Sequence, residues 1–77
     1  MQTIKNTLVK LKSLKNYEDL PKVAPVVLTE SDGLKWISLR EEESVAGAGE
    51  SWELAFIDFK HSVEANLESF SIGLKQA

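Results

Sequence analysis

The sequence predicts a small α+β domain in the order α-β-β-α, an antiparallel β-hairpin packed against two helices. Three observations carry this. A leucine- and lysine-bearing stretch at the N-terminus has helical periodicity, two β-branched runs are joined by Asp32-Gly33, and a long C-terminal stretch repeats its aromatics at helical spacing. At the usual ~100–200 residues per domain, 77 residues make a single domain spanning 1–77. Hydrophobic residues at 43% and charged residues at 27% fall near globular averages, which argues against a disordered chain.

The first helix is expected from about Met1 to Asn16. Ile4, Leu8, Leu11 and Leu14 recur on one side, with lysines on the others. Tyr17-Glu18-Asp19-Leu20-Pro21 is the expected exit, because a residue before proline is pushed away from the α region. The hairpin follows. Val23–Glu30 and Leu34–Glu42 flank Ser31-Asp32-Gly33, and Asp-Gly favours a two-residue type I′ turn. That loop places Val26 opposite Leu39, Leu28 opposite Ile37 and Glu30 opposite Lys35, so four aliphatics share one face, expected to be the buried one, beside an opposite-charge pair. A three-residue loop ending in a bulged Gly33 would shift the register by one. Pro25 marks the first strand as an edge.

Glu41–Glu50 reads as a polar, small-residue connection. From about Ser51 to Lys75 one helix is expected, because Trp52, Ala55, Phe56, Phe59, Val63, Leu67, Phe70 and Leu74 fall within a ~120° arc at helical spacing. An alternative takes a third strand from near 51–59, giving α-β-β-β-α. Double-stranded-RNA-binding domains have that order, but His61-Ser62-Val63-Glu64 lacks the lysine cluster such domains use, and the chain is not assigned to that family.

The residue inventory excludes more than it specifies. There is no cysteine, which removes disulfides, thiolate metal sites and cysteine nucleophiles. A single histidine and a core too small for a deep cleft argue against an enzyme, so no catalytic, cofactor-binding or metal residue is assigned and no small-molecule substrate is inferred. No apolar run approaches a membrane span, and Met1–Leu14 lacks the apolar core of a secretory signal, so the expected address is cytoplasmic.

Several local patterns invite chemistry and fall to plainer explanations. Gly47-Ala48-Gly49 before a helix resembles a phosphate loop, yet no lysine-serine pair follows and Glu50 and Glu53 occupy the anion's place; a flexible connector explains it. Asp58, His61 and Glu64 line one helix flank, too open for a fixed metal geometry, and read as a solvated face. Glu41, Glu42 and Glu43 read as a solvated charge run that discourages strand pairing. Asn66, at the edge of the main apolar face, reads as a boundary hydrogen-bonding residue.

Charge is unevenly laid out. Net charge is −3, but residues 1–22 hold five lysines against Glu18 and Asp19, leaving the remainder net −6. A nucleic-acid-binding module using Lys5, Lys10, Lys12 and Lys15 is therefore the alternative function, weakened by the missing arginines and interleaved aromatics.

The leading expectation is a small non-enzymatic interaction protein, of the size of regulators, inhibitors, antitoxins and accessory factors of mobile elements. A domain this small buries only ~60–65% of its unfolded surface, a thin margin that favours a protein partner or a homodimer. A second apolar stripe of Leu54, Ile57, His61, Ala65 and Ile72 lies opposite the main face of the long helix, and a helix apolar on two sides is often covered on two sides. Those five residues are the candidate partner-binding set.

Overall fold

Asp32 and Gly33 both adopt positive φ, 54° and 79°, the backbone that a type I′ turn demands and that aspartate and glycine tolerate. The computed structural model containing this turn describes the backbone of residues 2–76 and the side chains of residues 5–69. The turn joins β1 (Val26–Ser31) to β2 (Leu34–Leu39) in the expected register: Val26 faces Leu39, Leu28 faces Ile37, and Glu30 faces Lys35. The Glu30–Lys35 ion pair forms at 3.5 Å. The chain is α+β, with the hairpin packed against helices.

The sheet has a third strand, and it lies outside the 51–59 segment from which the alternative reading drew one. The expected connection Glu41–Glu50 contains β3 (Ala46–Gly49), which pairs antiparallel with β2 to give the order β1-β2-β3. Ser51–Phe59, the alternative source of a third strand, is the cap and first turns of a helix instead. Alanine and glycine have low strand propensity, so nothing local marks β3. What holds it is tertiary. Gly47 and Gly49 face α3 (Trp52–Gln76), and the helix backbone runs directly over them. A Cβ on Gly47 would lie 2.1 Å from the Phe59 amide nitrogen, and one on Gly49 would lie 2.6 Å from that of Ala55. The flexible-connector reading of Gly47-Ala48-Gly49 is thus replaced by a packed strand whose glycines admit the helix.

At the N-terminal side, α1 spans Gln2–Lys12, about a turn shorter than the periodicity implied. Ser13 ends it, donating both its amide and its hydroxyl to the Lys10 carbonyl. The expected exit segment is itself helical. A 3₁₀ turn over Tyr17–Asp19 leads into α2 (Leu20–Val23). Pro21 sits in the first turn of α2, where its missing N–H is no loss, and Leu20 keeps helical angles of −53° and −48° despite preceding it. The reward is burial, since Leu20 is in the core.

One cluster holds the elements together. Leu8 and Leu11 from α1, Leu20 and Ala24, Ile37 and Leu39 from β2, Val45, and Ala55, Phe56, Phe59 and Val63 from α3 are all buried. Both helices therefore lie on the sheet face presented by Ile37 and Leu39. Val45, just before β3, was hidden in the acidic connection; its carbonyl accepts the Leu39 amide at 2.9 Å. Trp52 and Leu67 pack at the margin as partly buried residues, while the side chains of Phe70 and Leu74 lie outside the described residues.

Leu28 departs from its expected burial. It shares the face of Val26, Ile37 and Leu39, yet it is 51% exposed. The cause is the path of α3, which is drawn toward β3 by the two glycines and leaves β1 uncovered. Five of the six residues of β1 are exposed, and Val26 is only half-buried.

Candidate interaction surface on the long helix

The site is built on the first half of α3. Ser51 opens the helix, its Oγ accepting the Leu54 amide at 3.2 Å and its carbonyl accepting the Ala55 amide at 2.9 Å. Glu53 in the first turn is favourably placed against the helix dipole. The buried side carries Ala55, Phe56, Phe59 and Val63, which fixes the helix in rotation and turns the second stripe outward.

Leu54 and Ile57 are the most exposed large apolar residues of that stripe, at 52% and 53%. His61 and Ala65, one and two turns further on, are also exposed. Ile72, the last member of the candidate set, has a side chain outside the described residues. The four described members lie at spacings of three, four and four residues, so they form one continuous strip.

Beside Ile57 the surface is concave. A depression of about 220 Å³ opens between the segment following α1 and the start of α3, lined by Lys15, Asn16, Tyr17, Glu18, Glu53, Phe56 and Ile57. Its lining includes two aromatic rings, two carboxylates and one ammonium. Lys60 braces this junction from the side, donating to the Leu14 carbonyl while its ammonium lies 5.6 Å from the Phe56 ring centroid. The depression was not visible in the sequence, because it depends on Tyr17 and Glu18 being held by a 3₁₀ turn against α3.

Asp58 does not stand free on the flank with His61 and Glu64: its Oδ2 accepts the Ala48 amide at 3.0 Å. Ser62 accepts the Ala46 amide and donates to the Ser44 carbonyl, each at 3.3 Å. Neither role is legible in the sequence, since the two amides they accept belong to a strand with no sequence signature. Among the described residues no set of three histidine, cysteine, aspartate or glutamate side chains is gathered as a metal site. Asn66, within α3, donates its side-chain amide to the Ser62 carbonyl one turn back at 2.8 Å.

The lysines of the alternative reading are dispersed. Lys5 is half-buried, Lys10 and Lys12 are exposed on α1, and Lys15 falls beyond the helix end at the depression, with Glu18 and Glu53. At about 100° per residue, Lys10 and Lys12 project about 160° apart. The acidic run Glu41, Glu42 and Glu43 is exposed in the β2–β3 connection. No described helix is long and apolar enough to cross a membrane. No family model, curated protein or solved structure matches this chain.

Proposed function

We propose that this chain is a small non-enzymatic interaction protein that docks a protein partner through the outward side of α3. The observation that carries the reading is the pairing of Leu54 and Ile57, both more than half exposed, with the depression beside Ile57. Isolated surface aliphatics are ordinary. Two adjacent ones, with Ile57 lining a depression that also contains Tyr17 and Phe56, offer an anchor site for an inserted apolar side chain, the arrangement on which interface hot spots are built. His61 and Ala65 extend the contact along the helix, with Ile72 further along the same sequence stripe. Glu18 and Glu53 in the lining favour a partner carrying a basic residue beside its apolar anchor. The non-enzymatic reading rests on the inventory: no cysteine, and a single histidine on an exposed helix side.

The test is affinity capture from the native host with the wild-type chain and with Leu54→Glu/Ile57→Glu. Both positions are exposed, so the double variant keeps its circular dichroism spectrum. Loss of the captured partner supports the α3 surface, and retention by the variant removes it. The second reading, phosphate contact by Lys10, Lys12 and Lys15, is favoured by their exposure alone. It requires a nucleic-acid affinity that falls steeply with salt.

A further inference from the structure

The two outer edges of the sheet differ in what meets their backbone. On β3 the outward amides belong to Ala46 and Ala48, and α3 supplies an acceptor to each, Ser62 Oγ and Asp58 Oδ2. On β1 the parity follows from the Arg40 amide, which donates to the Pro25 carbonyl at 3.1 Å. Residues of that parity (Pro25, Val27, Thr29, Ser31) direct their backbone groups to β2, so Leu28 and Glu30 direct theirs outward. Pro25, which looked like a guard on this edge, spends its missing donor on the inner side. No lysine, bulge or outward proline blunts the edge. The apolar surface collects there as well. Val27 and Leu28 on β1 and Leu34 and Trp36 on β2 are four large hydrophobics left exposed on one hairpin.

We infer that β1 is a self-association edge, pairing antiparallel with β1 of a second copy about a two-fold axis at Leu28 to make one continuous six-stranded sheet. A strand is the occupant that satisfies a row of alternating donors and acceptors, and the register argues for this chain's own strand. With Leu28 opposite Leu28 of the partner copy, both residues turn their outward backbone groups to each other and exchange two hydrogen bonds. Their half-exposed side chains then meet on the helix-bearing face, extending the row that Ile37 begins. On the opposite face Val27 comes to lie beside the copy's Thr29. Glu30, the single charged residue of β1, falls opposite Val26 of the copy. A shift that centred the axis on Glu30 would set two carboxylates face to face, so charge selects against it. The proposal uses none of the α3 surface, and either can fail without the other.

A six-residue edge is smaller than a standard interface, so the dimer is weak, with monomer dominant near 10 µM and dimer near 500 µM, on the order expected for a minimal contact. Sedimentation equilibrium across that range reads it directly. Leu28→Lys places two ammonium groups at the axis and weakens the dimer at least about tenfold. Because the chain has no cysteine, Leu28→Cys offers a clean cross-link: the ~5.5 Å Cα separation of a hydrogen-bonded pair lies inside the disulfide range, whereas Glu30→Cys faces Val26 and stays uncross-linked. Amide exchange gives a readout without substitution, with Leu28 and Glu30 slowing as concentration rises while Val27 and Thr29 stay constant. A wild type that is monomeric at the upper concentration overturns the proposal. So does a dimer that survives Leu28→Lys and is lost in Leu54→Glu/Ile57→Glu. If Leu28→Lys does not fold, the cross-link and the exchange pattern decide.

Discussion

Ala46 and Ala48 on β3 hand their outward amides to side chains of α3, while Leu28 and Glu30 on β1 have theirs met by no described group. β3 is four residues of alanine and glycine, the poorest strand material in the molecule, yet it is clamped between β2 and the helix. β1 is six residues, three of them β-branched, and it is held by β2 and the turn. Strand propensity and strand anchorage thus run in opposite directions here. A strand's security in a small domain comes from what crosses it rather than from its own residues.

Gly47 is where the anchorage of β3 is most vulnerable. Gly47→Val drives a branched side chain into the backbone of Phe59 and separates α3 from β3. The expected loss is more than about 4 kcal/mol, in the class of backbone collisions that cannot relax. A domain of this size has about 3–5 kcal/mol in total, so the variant is unfolded by circular dichroism in buffer. Native dispersion in its amide spectrum would show that the helix can lift without cost. Phe59→Ala acts on the same clamp from the helix side. The ring is fully buried, and removing it is expected to cost about 3–5 kcal/mol by urea titration. A loss below about 1 kcal/mol would mean the core closes without it.

On the β1 side the corresponding weak point is the turn. Gly33 has open space around the position of a Cβ, so Gly33→Val is penalised by its φ of 79° alone. About 1–3 kcal/mol is expected, with Gly33→Asn milder because asparagine tolerates positive φ. Equal melting temperatures for the two variants would remove the conformational account. The smallest effect belongs to the edge cap. Asp58→Ala leaves the exposed Ala48 amide to water and costs about 1 kcal/mol or less, while Asp58→Asn keeps an acceptor and most of that stability. The sharper readout is Ala48 exchange, which accelerates in the alanine variant and hardly moves in the asparagine one.

The features legible in the sequence were those with a local cause. Asp32-Gly33 specified the turn and with it the whole β1–β2 register, because only a two-residue loop keeps Glu30 against Lys35. Phe56, Phe59 and Val63 were legible as core because a helical period puts them on one side without reference to anything else. β3 was not, since its alternating alanines and glycines have meaning only under a helix whose backbone must come within reach. The period-two placement of Gly47 and Gly49 was the one available clue to a close approach. Leu28 shows the same dependence in reverse: its face is readable, but how far α3 extends over that face is decided at β3. At the candidate surface, Leu54 and Ile57 were legible as a stripe, whereas the depression beside them depends on the 3₁₀ turn at Tyr17–Asp19, which no periodicity announces.

The two tryptophans stand on opposite faces of the sheet region, and this gives the protein a built-in pair of optical reporters. Trp36 projects from the outer face of β2 at 43% exposure, open to a neutral quencher such as acrylamide. Trp52 is half-buried on the helix side, with the Lys35 ammonium 5.6 Å from its ring centroid. Emission from Trp52 follows the seating of α3 on the sheet, and emission from Trp36 follows the hairpin's open face. With Trp36→Phe and Trp52→Phe as single-tryptophan versions, loosening of the helix and disturbance of the hairpin become two separable colours of one spectrum.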